Sequence, residues 1–172
     1  QVSPLVSLAL FPEGEKLNED EELLFDSMAR VEQRFIEEKL GLKKQPGSQQ
    51  IQQDRQMILT LRKHIQTQLI NSISTPKELI KQITDTNKLL LGEQVERAIG
   101  ILGEPPCAYA IVGFGSMARE EMSLYSDWEF GILIQKTSLR QQKYFANLAR
   151  LVELNIINLG ETPYPLLKRQ HE

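Results

Sequence analysis

Apolar residues in the first half of the chain recur at three- and four-residue intervals, the spacing that lines one face of an α-helix. Leu23, Leu24, Ser27, Val31, Phe35 and Ile36 follow this rhythm, with Asn18 or Asp20 placed to cap the start and Gly41 to end it. Lys43 to Gln49 contains Pro46, Gly47 and Ser48 and reads as a turn. Beyond it Ile51, Ile58, Leu61, Ile65, Leu69 and Ile73 outline a second long helix. Ser74, Thr75 and Pro76 restart the pattern, with Pro76 at the first helical position and Glu78 in the first turn. The third helix, Pro76 to about Leu91, is expected to bury Leu79, Ile80, Ile83 and the Leu89 to Leu91 cluster. Gly92 is expected to separate it from a short fourth helix, Glu93 to Leu102. His64, alone on a Gln- and Lys-rich helix, reads as a solvated or half-buried histidine, and the run from Gln45 to Gln56 as a solvated face.

Beyond Gly103 the rhythm changes. Pro105 and Pro106 end the helical pattern, and Ala108 to Phe114 is an apolar run of strand length. A second run, Trp128 to Ile134, follows a polar interval in which Ser116 to Met122 can form one or two helical turns. Ser138 to Leu154 is helical through Leu139, Tyr144, Phe145, Leu148, Leu151 and Val152, and Asn155 to Leu159 reads as a third strand ended by Gly160. The order implies an α+β fold: an N-terminal helical region over residues 1–92, then a small mixed-sheet core over 93–172.

Composition narrows the class. Of 172 residues, 41% are hydrophobic and 25% charged, globular values that argue against disorder along the whole length. A net charge of -3 gives no global electrostatic case for nucleic-acid binding. Cys107 alone cannot form an internal disulfide, and with only His64 and His171 beside it no Cys/His zinc site can be assembled, which fits a reducing cytoplasm. No stretch approaches the roughly 20 apolar residues that span a bilayer, and Val2 to Phe11 lacks the positive flank of a signal peptide. Gln1 at the start and the polar Lys168 to Glu172 suggest a piece of something longer, truncated at its C-terminus.

The chemistry concentrates in Val112 to Ile134, VGFGSMAREEMSLYSDWEFGILI. Gly113 and Gly115 at the end of a strand let backbone amides approach a ligand, and Ser116 opens a helical turn whose free amides suit an anion such as a nucleotide phosphate. Simple turn chemistry gives the same pattern. Eleven residues after Ser116, Asp127 and Glu129 alternate with Trp128 and Phe130, so the two carboxylates share one face of a strand. Such a pair is costly unless a proton or a cation relieves it, and oxygen ligands of this kind suit Mg²⁺. An exposed acidic strand face is the alternative.

Together, Gly115, Ser116, Arg119, Ser126, Asp127 and Glu129 resemble the nucleotidyltransferase domain of the DNA polymerase β superfamily. They resemble most closely the signalling-type bacterial branch of the PII-protein uridylyltransferases, with its G-S-x-x-R then S-D-x-D arrangement. The likeness covers about the last 75 residues. It implies that Gly115, Ser116 and Ser126 bind the nucleotide, that Arg119 adds charge at the phosphates, and that Asp127 and Glu129 bind Mg²⁺ or Mn²⁺. An acceptor hydroxyl on a protein or small molecule then attacks the α-phosphate of a nucleoside triphosphate, and pyrophosphate leaves. Arg119 also reads as a surface arginine paired with Glu120 or Glu121. Two departures stand out: Glu129 takes the place of the more usual Asp, and the family's third carboxylate, on a later strand, is best matched by Glu161. Glu153 is the second choice, and a residue beyond Glu172 the remaining one. The alternative function is a catalytically inactive nucleotide-sensing or protein-interaction module working through the helical half. The acidic balance disfavours a nucleic-acid acceptor.

Overall fold

Helix α3 (Pro76–Leu102) begins as the sequence dictates: Thr75 Oγ1 accepts the Glu78 N–H at 3.3 Å while the Thr75 N–H donates to Glu78 Oε2 at 2.8 Å, with Pro76 inside the first turn. The computed structural model describes residues 19–42, 48–161 and 163–165. Before α3 come α1 (Glu19–Arg34), continued by a π-helical turn over Phe35–Lys39, and α2 (Ser48–Ile70). After it come β1 (Tyr109–Gly113), α4 (Gly115–Ala118), β2 (Trp128–Ile134), α5 (Leu139–Asn158) and β3 (Pro163–Pro165). Readings that fall on Val2–Phe11, Asn18, residues 43–47 and 168–172 lie outside the described residues.

The sheet is mixed and ordered β1-β2-β3. β1 pairs antiparallel with β2, Val112 opposite Gly131 and Gly113 opposite Phe130, and β2 pairs parallel with β3, Glu129 opposite Tyr164. Alternation sorts the two faces. Trp128 and Phe130, with Tyr109, Ile111, Ile132 and Ile134, join the core formed with α3 and α5. The other face carries Glu129 and the exposed Val112 and Leu133. Polar ties fasten α1 and α2 to this core, where Asn158 Nδ2 donates to Glu32 Oε2 at 3.0 Å and Arg97 pairs with Asp54, and within it Asn155 Nδ2 donates to the Gln94 carbonyl at 3.2 Å.

The α+β class and both main strands match the sequence pattern; two elements do not. α3 runs through Gly92 as one helix, with no short fourth helix, because Leu90, Leu91, Gln94 and Val95 are buried on either side and keep the turn packed. Asn155 to Leu159 is not a strand: Leu148, Leu151, Val152, Asn155 and Ile156 continue one buried stripe at helical spacing, so tertiary packing overrides the β-branched pair Ile156-Ile157. The third strand falls later, at Pro163–Pro165. Ile80 and Leu89 are exposed rather than buried, lying off the stripe made by Leu79, Ile83, Leu90 and Ala98; Leu23, Val31, Leu69 and Ile73 are also exposed. Among the described residues no helix is long and apolar enough to cross a membrane.

Gly92 is not required by close approach, since a Cβ there would meet nothing within 4 Å. Gly92→Ala is therefore expected to stabilise the fold by about 0.5–1 kcal/mol, raising the thermal midpoint by about 1–4 °C in a calorimetric scan. A lower midpoint would show that the helix needs glycine at this point.

Candidate functional site

The turn between β1 and α4 is built around the strand that follows it. The Phe114 N–H donates to the Glu129 carbonyl at 2.8 Å, extending the β1-β2 ladder by one residue and locking the turn onto β2. Gly115 then takes φ +51, a left-handed conformation that costs an L-residue about 1–2 kcal/mol. A Cβ on Gly115 would also overlap Glu129 Oε2 and lie 2.5 Å from Glu129 Cδ. The left-handed backbone is what requires glycine, and the Glu129 carboxylate, the far end of a flexible side chain, rests directly on the first residue of α4. Met117 is buried beneath the turn and comes so near Gly113 that a Cβ there would stand 3.0 Å from its sulfur.

The amides of Gly115 and Ser116 open α4 and so have no acceptor within the helix. Four residues make too short a helix for a substantial macrodipole, so any anion affinity here comes from those local N–H groups and the Ser116 hydroxyl. Asp127 is exposed and Glu129 half-buried, while Trp128 and Phe130 between and beyond them are fully buried. A cleft of about 300 Å³ opens between α3 and this turn, lined by Lys88, Leu91, Gly92, Ile111, Gly113, Met117 and Ala118. It carries no carboxylate and is separate from the acidic pair.

Between the turn and β2 the chain is anchored on both long helices. The buried Met122 gives its N–H to Thr84 Oγ1 at 3.3 Å and receives Asn87 Nδ2 on its sulfur at 3.8 Å, both from α3. Ser126 Oγ accepts the Ser123 N–H at 2.8 Å and lies 3.1 Å from Ser123 Oγ, so its hydroxyl closes the turn just before Asp127. Arg119 pairs with Glu121 at 2.7 Å on the surface, as its alternative reading anticipated. Lys88 reaches Glu120 at 3.2 Å.

Among the described residues Glu161 does not join Asp127 and Glu129 in a group of three that could hold a metal ion. Its carboxylate is buried and accepts Arg62 Nη2 at 2.6 Å, and Arg62 Nε donates to the Leu124 carbonyl at 3.2 Å. Burial pushes Glu161 up to about 7, against the opposing pull of Arg62 and Arg55. Glu153, on α5, is also raised, by burial. Arg62 was missed by sequence reasoning because its partners stand 62 and 99 residues away, beyond the reach of any local spacing. β3, the strand beside β2, reads Pro-Tyr-Pro and places Tyr164, not an acid, opposite Glu129.

The small mixed sheet, with its Gly-Ser turn clasped to an acidic strand, lies in a region whose family match makes it a nucleotidyltransferase-type domain. The family model described as "Putative nucleotidyltransferase DUF294" matches residues 61–165, well over half of the chain, and the chain belongs to that family. No curated protein and no solved structure matches it. Phosphoryl-transfer chemistry in general commonly uses a divalent cation. Asp127 and Glu129 have the hard oxygen donors Mg²⁺ prefers, and the Glu129 carboxylate occupies space that only glycine at 115 leaves open. Among the described residues no group of three or more His, Cys, Asp or Glu converges to hold a metal ion, so these two carboxylates would share the cation with water and substrate oxygens.

Gly115→Ala is expected to cost at least about 1–2 kcal/mol in urea unfolding from its backbone alone. Combined with Glu129→Ala, the loss should be smaller than the sum of the two single changes, by a coupling of about 0.5–3 kcal/mol. Strict additivity would contradict the contact. A second expectation concerns pH. Unfolded Glu161 titrates near 4.5 and folded Glu161 near about 7, so between them the folded state binds more protons and this group's contribution to stability falls as pH rises. Burial raises Glu32, Glu93 and Glu153 too, giving slope of the same sign. Urea midpoints across that window should decline less steeply in Glu161→Gln than in the wild type; equal slopes would refute the assignment.

Proposed function

We propose that this chain transfers a nucleoside monophosphate from a nucleoside triphosphate to a hydroxyl of a protein or small molecule, with Mg²⁺ or Mn²⁺. The observation that carries the reading is the Glu129 carboxylate seated on Gly115, inside the region matched by the family. The order G-S-x-x-R then S-D-x-E supports a likeness to the signalling-type branch of PII-protein uridylyltransferases.

In this reading the Gly115 and Ser116 amides and the Ser116 hydroxyl receive triphosphate oxygens, and Arg119 swings from Glu121 to the phosphates when the triphosphate arrives. Asp127 and Glu129 would hold the cation, which would supply positive charge to offset that on the phosphates. The acceptor oxygen forms a bond to the α-phosphorus as the bond from that phosphorus to the bridging oxygen of pyrophosphate breaks, and the hydroxyl proton passes to solvent or to a carboxylate of the pair. Ser126 acts from within the turn, keeping Asp127 at the start of β2. Positioning and charge do most of the work in phosphoryl chemistry of this kind, so few protein groups are needed.

The test is incubation of the chain with labelled nucleoside triphosphates, Mg²⁺ or Mn²⁺ and a cell extract as the acceptor source. Asp127→Asn and Glu129→Gln should each lower label transfer by about a hundredfold or more, beyond the 10–100-fold typical of outer-shell changes at metal sites. Transfer that persists at the wild-type level in both variants would overturn the reading.

A further inference from the structure

Arg62 stands on α2, outside both the Gly-Ser turn and the acidic strand, yet its contacts converge on the segment leading to Asp127. Nε donates to the Leu124 carbonyl at 3.2 Å, Nη2 donates to Glu161 Oε1 at 2.6 Å, and Cζ lies 4.5 Å from the centroid of the Tyr125 ring. A planar guanidinium can serve a carbonyl, a carboxylate and an aromatic face at once, which a lysine ammonium cannot. The segment is otherwise fixed at its start, where Met122 is held to α3 by Thr84 and Asn87, and internally by the Ser123-Ser126 turn. Arg62 supplies the anchor at Leu124 and Tyr125, immediately before Ser126 and Asp127. Glu161 in turn comes from the stretch that enters β3, whose Pro163 pairs with Trp128, so the clamp closes against the strand carrying Glu129. The family match, residues 61–165, includes Arg62.

We propose that Arg62, held by Glu161, is a positioning residue of the nucleotide site: it fixes the Leu124–Asp127 segment so that Asp127 joins Glu129 at the metal–nucleotide complex. The inference rests on the nucleotidyltransferase reading. It also gives Glu161 a role through Arg62 rather than as a third metal ligand, and makes the second half of α2 a working part of the site.

Two readouts on the 172-residue chain test it. Amide hydrogen exchange, without nucleotide or metal, should be faster across Leu124–Trp128 in Arg62→Ala than in the wild type, while α3 and α5 keep their protection. Mn²⁺ binding in the presence of ATP, followed by electron paramagnetic resonance, should weaken by about 10–100-fold in Arg62→Ala. Arg62→Lys should recover only part of that loss, and Glu161→Gln, which keeps an acceptor oxygen, should lose less than Arg62→Ala. Val95→Ala, a core truncation on α3, controls for general destabilisation and should leave Mn²⁺ affinity near the wild-type value. Unchanged exchange in the segment, or Mn²⁺ affinity in Arg62→Ala equal to that of the wild type, overturns the positioning role. Full rescue by Arg62→Lys overturns the multidentate clamp. Glu161→Gln losing more affinity than Arg62→Ala would make Glu161 a ligand in its own right and overturn its assignment here. If Asp127→Asn binds Mn²⁺ as the wild type does, the site reading itself fails, and the exchange result still stands or falls separately.

Discussion

The short contact between Glu129 and the Gly115 turn is the constraint on which the candidate site depends. The backbone bond from Phe114 to the Glu129 carbonyl fixes the turn against β2 at 2.8 Å, and glycine at 115 lets the carboxylate settle where a side chain would stand. Two sequence features separated by more than ten residues thereby become one surface. Neither would suffice separately, since a Gly-Ser turn is common and an acidic strand face is commoner.

That surface needs a rigid back, which the hydrophobic effect provides. Trp128 and Phe130 insert into the core beneath the sheet, and Met117 and Met122 are buried under the turn and its following loop. Alternation along β2 means that each buried aromatic places its neighbour on the open face. The depth of burial of Trp128 and Phe130 therefore fixes where Glu129 stands. The N-terminal helices take part through α3, which packs against α5, and through Arg62 on α2.

Much of this was legible in the sequence because it is local. The strand Trp128–Ile134, the capped start at Thr75 and Pro76, and the spacing of Gly115, Ser116, Asp127 and Glu129 all follow from neighbours along the chain. What could not be read is long-range. Gly92 looked like a break because its local cost was visible and the packing that overrides it was not. Asn155–Leu159 looked like a strand because Ile156 and Ile157 favour one in isolation, whereas Asn155 and Asn158 bond to α3 and α1. The pairing of Glu161 with Arg62 spans 99 residues, so the acid matched to the resembled family's third carboxylate gave no sign of its partner.

The central claim is that the Gly115 turn and the carboxylates of Asp127 and Glu129 form one metal–nucleotide site. Its most direct test is a crystal structure with Mn²⁺ and a non-hydrolysable nucleoside triphosphate, the cation located by anomalous scattering. The account predicts an anomalous peak bound by the carboxylates of Asp127 and Glu129, with the triphosphate on the Gly115 and Ser116 amides. A peak held by other residues, or phosphates bound away from the turn, would contradict it.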